Sequence, residues 1–161
     1  MIVISDTSPI NYLLLINQIE LLPRLFAQVI IPNVVRDEML AAGAPPTLQQ
    51  WIVHAPAWLG VETVSVMDET LSTLDQGEQA TITLAQTLQA DLVIIDERLG
   101  RQTARDRQLS VIGTLGILDE AAARGWINLR EALAQLQQTN FRVSRRIVET
   151  LLHNRGNNQV N

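Results

Sequence analysis

The sequence predicts an α/β protein built on a parallel sheet covered on both faces by helices. Three observations carry this. Short, β-branched apolar runs alternate with segments of helical period along the chain. The runs are short and apolar, as expected of strands buried on both faces. The length of 161 residues, 47 % apolar and 18 % charged, suits one domain with a real core and is too short for two ordinary ones.

The elements follow in order. Ile2–Ser5 reads as the first strand and ends at Asp6. Ser8-Pro9 then starts a helix over Ser8–Asn17, with proline at a first-turn position. A second helix covers Glu20–Phe26. Strand Gln28–Ile31 runs into the turn signal Pro32 and a helix over Asn33–Ala42. Ala41–Pro46, with Gly43, Pro45 and Pro46, breaks the pattern and reads as a loop. Helix Thr47–Val53 and strand Val61–Val66 come next. Helix Gln76–Gln89 leads to the most apolar strand, Leu92–Ile95. Helix Glu97–Arg107, strand Ser110–Ile112 and helices Thr114–Arg124, Leu129–Gln137 and Ser144–Asn154 complete the chain. The expected domain is 1–155, with 129–155 as an accessory extension and 156–161 as a frayed tail. Right-handed crossovers put every strand's C-terminus on one edge of the sheet, and ligands of such sheets bind at that edge.

Composition narrows the function. The absence of cysteine excludes disulfides, thiolate zinc sites and a cysteine nucleophile. No segment approaches the roughly 18 apolar residues of a membrane span. The N-terminus lacks a basic region and meets Asp6 too early for a signal peptide, so a cytoplasmic protein is expected. The net charge is −5, and all 12 cationic side chains are arginine. Such a chain is not a typical non-specific nucleic-acid binder, but metals and a local arginine face could offset the charge.

The acidic residues carry the chemistry. Asp6 and Asp96 each end an apolar strand and would face one crevice. Neighbouring carboxylates repel, which suggests a bound cation or a shared proton. Glu38 lies roughly 40° from Val34 and 60° from Val35 around its helix, inside a stripe completed by Met39 and Ala42. A carboxylate there costs several kcal/mol unless paired or metal-bound. The bland alternative is an edge glutamate reaching water or an arginine. Asp75 and Glu78 could form a capping-box-like pair, or Asp75 could cap while Glu78 points into the crevice. Asp96 could be only a helix cap, and Glu97 a second crevice acid or a helix-dipole residue. Arg98, Arg101 and Arg105 share a helix face suited to phosphate, or to a solvated surface. His54 and His153 lack spaced partners and read as structural.

Taken together, these residues resemble a PIN-domain nuclease, close to the VapC-type toxin ribonucleases. The matching pieces are Asp6-Thr7-Ser8 after the first strand, Glu38 after Ile31-Pro32, Asp75-Gln76-Gly77-Glu78, and Ile94-Ile95-Asp96-Glu97. The run Val111–Leu118 resembles the segment after the last core strand in one branch of the family. The resemblance covers about residues 1–125 and is looser beyond. It implies a single-domain three-layer α/β/α sandwich with a central parallel sheet and an acidic pocket. It also implies that Asp6, Glu38, Glu78 and Asp96 are the catalytic acids holding Mg²⁺ or Mn²⁺. Thr7 or Ser8 matches a supporting hydroxyl and Arg101 a basic position after the fourth acid. At the third acidic position many members carry aspartate, so either Asp75 or Glu78 could fill it.

Carboxylates and water suit Mg²⁺ or Mn²⁺. The expected activity is hydrolysis of RNA phosphodiester bonds, as the toxin of a toxin–antitoxin pair. The expected partners are RNA and a cognate antitoxin. A homodimer is a further expectation, from the apolar excess of Leu13–Leu25. The rival reading is a catalytically inactive PIN-like interaction module, its crevice filled by a partner's arginine. Receiver-type phosphoryl transfer and P-loop nucleotide binding both need a lysine this chain lacks. The dehalogenase pattern needs an acid at position 8, which is serine.

Overall fold

A computed structural model describes residues 1–159, with side-chain surroundings through residue 156. The strands are β1 (Val3–Ser5), β2 (Val29–Pro32), β3 (Leu59–Glu62), β4 (Leu92–Ile94) and β5 (Val111–Ile112). They form one all-parallel sheet in the order β3-β2-β1-β4-β5. The helices are α1 (Thr7–Leu15), α2 (Leu21–Phe26), α3 (Asn33–Leu40), α4 (Pro46–Val53), α5 (Gln76–Thr87), α6 (Arg98–Asp106), α7 (Thr114–Ala123), α8 (Leu129–Gln137) and α9 (Arg145–Gln159).

The two-residue period of the strands builds two cores. Val3, Val29, Ile31 and Ile94 face one core with Ile10, Leu13, Val35, Met39, Ile117 and Leu133. Ile4, Val93 and Ile95 face the other with Leu71, Leu74, Ile82, Leu84 and Ala104. This is the three-layer α/β/α arrangement that the sequence predicts. The apolar residues of 13–25 go largely into the first core: Leu13, Ile16, Leu21 and Leu22 are buried, while Leu15 is 43 % exposed. The apolar excess behind the homodimer expectation is therefore mostly internal packing.

Several boundaries differ from the sequence reading. The third strand ends at Glu62 instead of running from Val61 to Val66. Its partner β2 ends at Pro32, paired with Glu62, so no ladder remains beyond it. The Val64 N–H bonds instead to the Asn33 side chain at 2.9 Å, and Val66 is exposed. A 3-10 turn at Glu69–Leu71, not anticipated, follows; Asp68 caps it and Arg107 pins Asp68 at 2.5 Å. Helix α3 stops at Leu40, which leaves Ala42 exposed and outside the stripe expected to contain it. At the other end α9 continues to Gln159, into the segment expected as a tail; residues 160 and 161 lie outside the described residues. Among the described residues, no helix is long and apolar enough to cross a membrane.

The sheet order fixes where a ligand could bind. From β1 the chain moves outward through β2 and β3, then returns to the other side through β4 and β5. The reversal between β1 and β4 opens a crevice beyond their carboxyl ends. Asp6 directly follows β1, and its N–H bonds to the Ile94 carbonyl of β4 at 2.9 Å. Asp96 lies just beyond that same strand.

Candidate active site

Asp6 is 6 % exposed and sits at the start of α1, but its side chain does not cap that helix. Burial raises its pKa to about 7, opposed by the Thr7 backbone N–H and reinforced by the charges of Asp75, Glu38 and Asp96. Those three acids come from three other parts of the chain, so the shift also records their convergence.

Glu38 reaches the same crevice from α3, half-buried beside the buried Val35 and Met39. The Thr7 hydroxyl donates to its Oε2 at 2.8 Å. Burial raises its pKa, as does the charge of Asp75, while the Thr7 hydroxyl and the Gly77 backbone N–H favour its ionised form. Of the two hydroxyls expected to support the pocket, Thr7 makes this bond, and Ser8 is exposed. Asp37 is exposed too, beside Arg36 at 3.3 Å.

Asp75 and Glu78 divide their work. Asp75 caps α5, its Oδ1 accepting from the Glu78 N–H at 2.8 Å. Glu78 is only 6 % exposed. Burial raises its pKa first, followed by a carboxyl hydrogen bond with Asp75 and the charges of Asp75, Asp6 and Glu97. Asp75 thus serves as cap and as a member of the acid cluster.

Asp96 is held from the end of the neighbouring strand β5. Thr114, at the first position of α7, donates its N–H to Oδ1 and its hydroxyl to Oδ2, each at 2.7 Å. Burial raises the Asp96 pKa, while Thr114 and the Arg101 charge pull it down. Arg101 also donates from Nη1 to the Asp96 carbonyl. Glu97, not Asp96, caps α6, accepting from the Gly100 N–H at 2.8 Å. Glu97 is exposed, and its charge helps to raise the Glu78 pKa.

Two glycines let the acids approach. A β-carbon at Gly77 would stand 2.6 Å from Glu38 Oε2, and one at Gly113 would stand 2.9 Å from Asp96 Oδ1. Sequence reasoning missed Thr114 and both glycines as site residues. Gly77 had left a signal, since a glycine in a helix's first turn weakens the helix and calls for another reason. Tyr12, on α1, was also missed; burial and then the Asp96 charge raise its pKa.

Asp6, Glu38, Asp75, Glu78 and Asp96 therefore form one acid cluster, supplied by the ends of β1 and β4 and by α3 and α5. Among the described residues, no three carboxylates stand as a finished cation cage. Their chemistry still fits a hard divalent cation: the donors are all oxygen, Asp6 and Glu78 are buried, and burial first, with the neighbouring acids adding to it at Asp6, Glu38 and Glu78, favours protons on groups that ordinarily ionise. A family model described as a PIN domain matches residues 2–157. No curated protein matches the chain.

Proposed function

Since the chain belongs to the PIN-domain family, we propose that it is a metal-dependent endoribonuclease that hydrolyses RNA phosphodiester bonds and acts as the toxin of a toxin–antitoxin pair. The convergence of strand-end and helix acids at the switch point of the sheet carries this reading. Asp6 and Asp96 are the primary ligands for Mg²⁺ or Mn²⁺. Glu38 and Glu78 are direct or water-mediated ligands. A divalent cation held there would supply activation of water and compensation of charge on the phosphate and leaving oxygen.

The remaining groups hold and balance these acids. Thr7 and the Gly77 N–H orient Glu38. Thr114 fixes both oxygens of Asp96. Asp75 fixes the start of α5, so that Glu78 enters the crevice from a defined turn. Arg101 places a positive charge beside Asp96, where it can meet a substrate phosphate. A cognate antitoxin would bind over this crevice and silence it.

The test uses purified protein and a panel of single-stranded and structured RNAs with Mg²⁺ or Mn²⁺. Cleavage is expected, and EDTA should abolish it. Asp6→Asn and Asp96→Asn should each abolish it while circular dichroism shows an intact fold. Cleavage that survives either substitution, or that never appears across the panel, would overturn the enzyme reading and leave the interaction module. The toxin role predicts a small adjacent reading frame with a DNA-binding N-terminus. Its product should relieve growth arrest when the two are co-expressed.

A further inference from the structure

Beside the acid cluster lies a cavity of about 350 Å³ whose wall includes Asp96, Arg101, Arg105, Leu115, Phe141 and Ile147. Its size is at the small end of ligand pockets, which run from about 300 to 1,000 Å³. We propose that this cavity is a subsite for one unstacked nucleotide of single-stranded RNA, with Arg101 and Arg105 on its phosphate and Phe141 against its base. The proposal rests on the ribonuclease reading and names the form of substrate that reading requires.

The two arginines stand four residues apart on α6 and so share a face. Arg101 uses Nη1 on the Asp96 carbonyl, and its guanidinium has further N–H groups to offer. Arg105 is exposed and, among the described residues, its side chain makes no ion pair or hydrogen bond. A free guanidinium next to a half-buried one, at the rim of an acid cluster, suits an anion that must approach carboxylates. A phosphodiester is such an anion.

The opposite wall is apolar and comes from the C-terminal part of the chain. Phe141 is half-buried between α8 and α9, and Tyr12 meets it edge-on at 4.9 Å and 87°. The Tyr12 hydroxyl donates to Asn140 Oδ1 at 3.0 Å, which ties the linker carrying Phe141 to α1. Ile147 from α9 is 47 % exposed at the same cavity. Inorganic phosphate would have no use for this wall. A nucleobase has a flat apolar face for it, and only an unpaired, unstacked base can present that face. This gives the C-terminal extension a role in choosing single strands.

The experiment measures binding without divalent metal, by anisotropy of a labelled single-stranded hexaribonucleotide in EDTA. Phe141→Ala should weaken binding about fivefold to a hundredfold, the range for loss of one stacked base. Phe141→Leu keeps apolar volume for the fold and should also weaken binding, because it cannot stack. Arg105→Ala should lower affinity and reduce the salt slope by about 0.7, as for one single-strand phosphate. Arg130→Ala, which removes a charge outside the cavity, should leave binding unchanged. A duplex of the same sequence should bind more weakly than the single strand. Equal affinity of all these variants, or a loss with Arg130→Ala as large as with Arg105→Ala, would overturn the subsite. A parallel assay with Mg²⁺ separates the two claims. Cleavage at wild-type kcat/KM by the Phe141 and Arg105 variants removes the subsite and leaves the ribonuclease. Variant-sensitive binding with no cleavage by the wild type keeps the nucleotide site and removes the ribonuclease.

Discussion

The carboxylate of Glu38 occupies the space beside Gly77 where a side chain would begin: a β-carbon there would lie 2.6 Å from Oε2 and 2.7 Å from Oε1. Glu38 and the first turn of α5 are therefore fitted to each other. Gly77→Ala should push Glu38 out of the crevice although alanine is the better helix former. The expected result is loss of RNA cleavage with little change in stability by urea denaturation, since the displaced group is the end of a flexible side chain. A gain in stability with full activity would show that Glu38 has no required position.

Thr114 grips Asp96 through both its backbone and its hydroxyl. Thr114→Val keeps the β-branched shape and the N–H but removes the hydroxyl. The change should cost about 1.5–3 kcal/mol, the range for a hydrogen bond to a charged group. The lost donor favoured ionised Asp96, so its pKa should rise further. Activity should then require a higher pH than in the wild type. An unshifted pH–rate profile would remove Thr114 from the site.

Stability of the metal-free protein should fall as pH rises from about 4 to about 7. Asp6 ordinarily titrates near 4 in an unfolded chain, and burial raises it to about 7 here. Between those values the folded chain keeps a proton that the unfolded chain has lost. The unfolded state therefore gains relative to the folded one with increasing pH. Melting in EDTA should show Tm dropping from pH 5 to pH 8. Mg²⁺ should shrink the drop by binding the ionised acids. Asp6→Asn should lessen the drop without abolishing it, because burial also raises Glu78, to about 8, and it titrates over the same range; an unchanged slope in that variant would place the titration elsewhere.

Asp75→Asn separates capping from charge. Asparagine caps about as well as aspartate, so α5 should keep its start. Loss of one negative charge near Asp6, Glu38 and Glu78 should raise metal-free stability and weaken Mg²⁺ binding by calorimetry. A destabilised variant would mean that the charge of Asp75 is needed for the fold.

Much of this arrangement was legible in the sequence because its signals are local. A β-branched run ending in aspartate marks both Asp6 and Asp96 without knowledge of the sheet. Helical period alone places Glu38 beside Val35 and Met39. What was not legible depends on partners far along the chain. Thr114 meets Asp96 across 18 residues, and nothing in Gly113-Thr114 distinguishes that threonine from an ordinary helix start. The end of β3 is set by where β2 stops, so the β-branched Thr63, Val64 and Val66 misled. Asp96 and Glu97 are adjacent, and only the strand's exit direction decides which one caps α6.

The most direct test of the shared acid site is a crystal structure grown or soaked with Mn²⁺, with the metal located by its anomalous signal. One Mn²⁺ should lie within about 2.5 Å of carboxylate oxygens of both Asp6 and Asp96, with Glu38 and Glu78 binding it directly or through water. A crevice that stays empty at saturating Mn²⁺, or a metal bound without Asp6 and Asp96 converging on it, would contradict the account.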